Sequence, residues 1–200
     1  MIVVCIKVGD KYDPVYVNRL ASMVVRYSTD CPRFICLTDD ERGLKCEWAP
    51  IETDLSGWWA KLVLFKPHSI LDQRFIYIDL DTVIVDSIDF LYRYRGPFCI
   101  LHDFWGPSYN SSVISMVPGF APWVWRDFYP AITKSMHGDQ DWITKQVHAA
   151  DLWQNVAPRC IGSYKADCLQ NSPDPYSLIC FHGEPKPHQI TEGWVPKAWR

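Results

Sequence analysis

The stretch Phe75-Ile76-Tyr77-Ile78-Asp79-Leu80-Asp81 ends an apolar run in two carboxylates spaced i and i+2. In an extended chain that spacing turns both side chains to the same side. Two like charges held together repel, and this raises a carboxyl pKa unless a cation sits between them. A hard divalent ion bridging them to a phosphate resolves the conflict, because Mg²⁺ and Mn²⁺ take carboxylate and phosphate oxygens. Open α/β sheets bind their ligands at the carboxyl ends of strands, where this pair is expected to lie. A bare Asp-x-Asp is also a turn in which either side chain merely caps the chain, so the motif needs its context.

That context is an ordinary globular chain. Of its 200 residues 48% are apolar and 22% charged, which fits one domain, 1–200, with a sizeable core. A net charge of −3 lacks the basic footprint of a nucleic-acid binder. No apolar run approaches the ~20 residues of a membrane span. The N-terminus reads as a strand rather than a signal peptide, so the expected location is the cytoplasm. The eight cysteines form no Cys-x-x-Cys pair, and Cys5, Cys36 and Cys99 lie in apolar runs, the pattern of buried thiols. Ten tryptophans exceed what a core of this size needs and leave some for a face that stacks on sugar rings.

Periodicity then places the elements. Apolar runs predict strands at 2–8, 33–37, 46–49, 75–80, 83–85, 98–101, 113–117, 159–164 and 178–181. Helical spacing covers 14–27, 58–65, 122–132 and 140–152, with Lys66-Pro67 stopping the second of these. Alternation of the two kinds predicts an α/β fold with a mixed, mostly parallel central sheet flanked by helices.

Several segments, taken in order, resemble the metal-dependent glycosyltransferases of the GT-A fold, and most closely the family-8 type that includes glycogenin and bacterial galactosyltransferases. They are the strand and loop ending Val8-Gly9-Asp10-Lys11-Tyr12 and the lysine-bearing Trp58-Trp59-Ala60-Lys61-Leu62. Then come Tyr77-Ile78-Asp79-Leu80-Asp81, Asn110-Ser111-Ser112-Val113, Gly138-Asp139-Gln140-Asp141 and the C-terminal Phe181-His182-Gly183-Glu184-Pro185-Lys186-Pro187. The resemblance implies transfer of a sugar from a nucleotide-sugar, a UDP-sugar, to a carbohydrate or other hydroxyl acceptor, with retention of anomeric configuration. It implies Mn²⁺ (or Mg²⁺) held by Asp79, Asp81 and a C-terminal histidine. The family's ligand histidine lies three residues before the glycine, where this chain has Cys180. His182 shares a strand face with that position and is assigned the role, with Cys180 as the alternative.

The same resemblance gives Val8, Asp10 and Tyr12 to the nucleoside, Lys61, Leu80, Asn110, Ser111 and Gly183 to the donor, and Lys186 to the diphosphate. Asp139 and Gln140 fall beside the anomeric carbon, Asp139 also being a candidate helix cap. The loop Phe104–Tyr109 and the Pro-rich tail are the expected acceptor surface. Two other classes remain open on the residues alone. Asp79-Leu80-Asp81-Thr82-Val83 also fits the first motif of haloacid-dehalogenase-type phosphatases, where Asp79 would be the phosphoryl acceptor. The tryptophans would equally suit a non-catalytic carbohydrate-binding domain.

Overall fold

A strand apolar at every position must be covered on both faces. Ile2–Ile6 is such a run, and the strand it forms, Ile2–Lys7, is buried throughout. The computed structural model describes residues 1–168 and 172–200. Its strands are β1 Ile2–Lys7, β2 Arg33–Thr38, β3 Glu47–Pro50, β4 Phe75–Ile78, β5 Thr82–Ile84, β6 Phe98–His102, β7 Tyr109–Met116, β8 Asp151–Leu152, β9 Ile161–Ser163 and β10 Leu178–Cys180. Seven form a central sheet in the order β3-β2-β1-β4-β7-β6-β8, and three form a smaller sheet, β5-β10-β9. In the large sheet β1–β2, β2–β3, β1–β4 and β6–β8 are parallel. The two pairings of β7, with β4 and with β6, are antiparallel. The mixed, mostly parallel α/β architecture is therefore as the periodicity predicts.

The helices are α1 Pro14–Arg26, α2 Asp89–Arg93, α3 Trp123–Arg126, α4 Asp139–Gln146, α5 Trp153–Val156 and α6 Val195–Ala198. Asp13 caps α1, accepting from the Val15 amide at 2.8 Å, and Pro14 begins the helix where no donor is needed. Alternate residues of β1 feed two cores. Val3 and Cys5 pack with Tyr16, Val17, Leu20 and Met23 of α1 and with the small sheet. Ile2, Val4 and Ile6 pack with a 3-10 helix, Gly57–Phe65, and with α3 and α4. Among the described residues no helix is long and apolar enough to cross a membrane.

Local chemistry shortened several predicted elements. The helix expected over 122–132 is α3 followed by a separate 3-10 turn, Pro130–Lys134, because Pro130 removes an amide and blocks continuation. The helix expected over 140–152 ends at Gln146, and residues 151–152 pair instead with β6 as the sheet edge. The 58–65 segment is a 3-10 rather than an α-helix.

The Asp-x-Asp motif is the junction between the two sheets. β4 stops at Ile78, the Asp79 amide donates to Ser112 O of β7 at 2.8 Å, and the Thr82 amide turns back to Asp79 O at 3.1 Å. β5 then leaves for the small sheet, so Asp79, Leu80 and Asp81 stand where both sheets meet.

Candidate functional site

A cleft of about 430 Å³ opens at this junction. Of the residues expected in a site, Val8, Tyr12, Lys61, Asp79, Leu80, Asp81, Asp139, Gln140, His182, Gly183 and Lys186 line it. They arrive from the loop after β1, the 3-10 helix, the β4–β5 turn, the start of α4 and the loop after β10. Asp10 is exposed outside the lining, and Asn110 and Ser111 are buried behind it.

Two ion pairs organise the polar wall. Lys61 Nζ lies 2.9 Å from Asp79 Oδ1 and 3.7 Å from Asp139 Oδ2, and it donates to Ser111 Oγ at 2.9 Å. Ser111 Oγ donates in turn to Asp139 Oδ2 at 2.6 Å, while its amide donates to Gln140 Oε1 at 3.1 Å. Ser111 is thus a buried strut between Lys61 and the start of α4, which places Asp139 and Gln140. Asp139 is the first residue of that helix rather than its cap; Gly138 holds the cap position.

The second pair is Lys186 with Asp81, whose Oδ2 also accepts from Tyr12 Oη at 2.9 Å. Lys186 sits on a loop tied down from both sides. Its amide donates to the Gln189 side chain, and His188 is hydrogen-bonded to Tyr16 of α1. Gly183, at φ +65°, makes the turn that starts this loop, a conformation costly for other residues.

Burial dominates the protonation of these groups. It raises the Asp81 carboxyl above the usual carboxylate range, and Asp79 adds to the rise, while Lys186 and Tyr12 oppose it. Asp139 is raised by burial, against Lys61 and Ser111. Burial alone would lower Lys61, but Asp139 and Asp79 reverse this and hold the ammonium charged. Burial and the two motif carboxylates push the Tyr12 phenol far up, so it remains a donor.

His182 lines the same cleft as the two aspartates. Its Nε2 lies 2.7 Å from Ser163 Oγ, and its ring is stacked on Phe104 (centroids 5.6 Å) and edge-on to Trp105 (4.5 Å). β10 ends at Cys180 and the chain turns at Gly183, so His182 lies just beyond the strand rather than on it. Ser163 Oγ also accepts from the Ala166 amide at 3.1 Å, so it ties the His182 ring to the segment after β9. Cys180 faces Thr82 across β10–β5 and is buried, its thiol pushed up by burial and by Asp79 and Asp81. Among the described residues no three of His, Cys, Asp and Glu gather to hold a metal. Burial, with Lys165, lowers the His182 imidazole from 6.5, against the pull of Asp103. The neutral ring therefore adds stability that is complete above 6.5 and is lost as pH falls through the lower folded value. An NMR titration of His182 should show a midpoint below 6.5.

Lining residues that sequence reasoning did not assign include Tyr77, Trp58 and Lys11. Tyr77 Oη donates to Asp79 Oδ1 at 2.6 Å, a contact foreshadowed by their i, i+2 spacing. Trp58 and Lys11 meet at the rim, the ammonium 5.6 Å from the indole centre. Only the fold joins that 3-10 helix to the loop after β1.

No known protein family matches the chain, and no curated protein matches its sequence. Solved structures do match. The galactosyltransferase LgtC, in complex with donor and acceptor sugar analogues, is 16% identical with a TM-score of 0.65, over 94% of this chain and 89% of that one. The glycosyltransferase GlyE of Streptococcus pneumoniae TIGR4 is 13% identical with a TM-score of 0.66, over 99% of this chain but 58% of GlyE. The bifunctional glycosyltransferase WbbM is 12% identical with a TM-score of 0.63, over 92% of this chain and 46% of that one. At these identities the likeness establishes the architecture, and the chain has a GT-A-like glycosyltransferase fold.

Proposed function

We propose that this protein transfers a sugar from a nucleotide-sugar, a UDP-sugar, to a hydroxyl of a carbohydrate acceptor, retaining the anomeric configuration. The observation that carries the proposal is the convergence of Asp79, Asp81, Asp139, Lys61 and Lys186 on one cleft of a GT-A-like fold. A divalent cation, Mn²⁺ or Mg²⁺, fits the chemistry of the donor set. Asp79 and Asp81 present two carboxylates whose present counter-ions are the lysines, and such ions are often held by one or two carboxylates plus substrate phosphates. The bound cation would supply Lewis-acid stabilisation of charge on the departing diphosphate. His182 lines the same cleft with its Nε2 hydrogen-bonded to Ser163 Oγ, which leaves Nδ1 as the nitrogen that would complete the set.

The chain's own residues supply the rest. Lys186 places a positive charge at the cleft, where it can meet charge developing on the leaving diphosphate, from a position fixed before reaction. Val8 and Tyr12 line the end of the cleft next to β1, the place for the nucleoside. Asp139 is held by Ser111 and Lys61 as an acceptor for sugar hydroxyls, and Gln140 is oriented by the Ser111 amide beside it. A phosphatase of the haloacid-dehalogenase type would place Asp79 near the start of the fold as an unencumbered nucleophile. Here Asp79 follows the fourth strand and is bonded to Lys61 and Tyr77. The eight free cysteines, five of them buried, support a reducing compartment, the cytoplasm.

The acceptor is proposed to dock on the Phe104–Trp105–His182 stack at the cleft edge, where Trp105 is 62% exposed. Trp194 packs on Tyr164 beside the core instead and leaves this role to Trp105. An exposed aromatic face that carries a sugar ring is worth ~0.5–1.5 kcal/mol beyond area burial. Trp105→Ala should therefore raise the acceptor KM about 2- to 10-fold with the donor KM unchanged; an unaltered acceptor KM refutes the placement. The reaction itself is tested by following UDP release from a panel of UDP-sugars with Mn²⁺, beside p-nitrophenyl phosphate. Sugar-dependent UDP release supports the proposal, and phosphate ester hydrolysis alone contradicts it.

A further inference from the structure

The cleft contains three carboxylates (Asp79, Asp81, Asp139) and two ammonium groups (Lys61, Lys186) that pair with them. The two lysines are not equivalent. Lys61 bridges two carboxylates and a serine from a buried helix, with its side chain 12% exposed. Among the described residues Lys186 has Asp81 as its single ion-pair partner, and it rides on the loop that follows Gly183. The Asp81 side chain is only 8% exposed, and the bonds from Lys186 and Tyr12 converge on one of its oxygens.

A divalent cation arriving at Asp81 meets that ammonium within hydrogen-bond distance of the same carboxylate. Two cations sharing one buried carboxylate repel strongly, since water does little to screen them. Lys186 must then give up Asp81, and a buried ammonium leaves its partner cheaply only if another anion receives it. A diphosphate in the cleft is such an anion.

We propose that Lys186 is the built-in counter-ion of Asp81, exchanged for a divalent cation when Lys186 passes to the diphosphate, so that cation and diphosphate bind as a coupled pair. The diphosphate half of this rests on the donor reading above; the counter-ion half does not. The coupling is reciprocal, each ligand tightening the other by the same factor.

The test titrates Mn²⁺ into the metal-free protein, with free Mn²⁺ read by electron paramagnetic resonance, in the presence and absence of UDP. In the wild type UDP should tighten Mn²⁺ by about tenfold or more. Lys186→Met, with folding verified by its melting curve, should bind Mn²⁺ without UDP about tenfold more tightly than the wild type and lose most of the coupling. Asp81→Asn releases Lys186 without any metal, so in EDTA it should bind UDP more tightly than the wild type does. Equal or weaker Mn²⁺ binding by Lys186→Met overturns the proposal, as does weaker UDP binding by Asp81→Asn in EDTA. A wild type that ignores UDP at every Mn²⁺ concentration overturns the donor reading instead, while the nucleotide-free comparison still decides the counter-ion role.

Discussion

Lys61→Met should cost about 3–5 kcal/mol of stability, because it leaves the buried Asp139 and the part-buried Asp79 without their shared cation. Burial already raises the Asp139 carboxyl with Lys61 present, so the variant should take up a proton there. Its stability should consequently fall as pH rises, since the folded state binds a proton that the unfolded chain gives up near 3.9. The double variant Lys61→Met with Asp139→Asn removes the stranded charge and should recover part of the loss. Urea unfolding of the three variants and the wild type checks this as a cycle. A loss below ~1 kcal/mol for Lys61→Met would place Lys61 among surface charges that contribute little, contrary to the buried bridge seen here.

Lys186→Met should lower kcat about 10²–10³-fold, the usual cost of removing one preorganised group that stabilises developing charge. The loss should fall on kcat more than on the donor KM, because the charge on the leaving diphosphate is larger in the transition state than in the bound donor. Lys186→Arg keeps the positive charge and should retain more of the rate than Lys186→Met. Steady-state rates of UDP release measure both. A Lys186→Met enzyme with unchanged kcat would remove Lys186 from the chemistry, whatever its bond to Asp81. Paired with the tighter Mn²⁺ binding expected of the same variant, the rate loss would show that holding the cation better is not what speeds transfer.

The sequence carried the parts of this arrangement that depend on local period and on local chain direction. Continuous apolar runs identified β1, β2 and β4, since strands covered on both faces cannot alternate. The i, i+2 spacing of Asp79 and Asp81 placed both carboxylates at a strand end. Pro130 was visible, but its effect on the helix over 122–132 was underrated; breaking the turn there outweighed the apolar spacing. The setting of His182 was hidden for a different reason. Its face depended on where β10 stops, and β10 stops at Cys180 because its pairing with β5 ends opposite Thr82.

The least legible features are the ones that tie distant segments together. Asp81 meets Lys186 across 105 residues and Tyr12 across 69, and Ser111 meets Asp139 across 28. No period or spacing encodes such closures. The resemblance to GT-A enzymes brought these residues into one list, but it did not foresee that each motif carboxylate would already hold a lysine. Nor did it foresee Ser111 as the hidden strut behind Asp139 and Gln140, because a buried serine looks the same in sequence whether it serves a ligand or a neighbour.

The most direct measurement is the melting temperature of the wild type and of Asp79→Asn with Mn²⁺ and each of a panel of nucleotide-sugars. A ligand at one hundred times its Kd adds ~2.7 kcal/mol to the folded state. At least one UDP-sugar should raise the wild-type melting temperature only when the metal is present, and the same mixture should leave Asp79→Asn unmoved. A wild type indifferent to every nucleotide-sugar, or an Asp79→Asn protein stabilised as fully as the wild type, would contradict a donor anchored at this pair of aspartates.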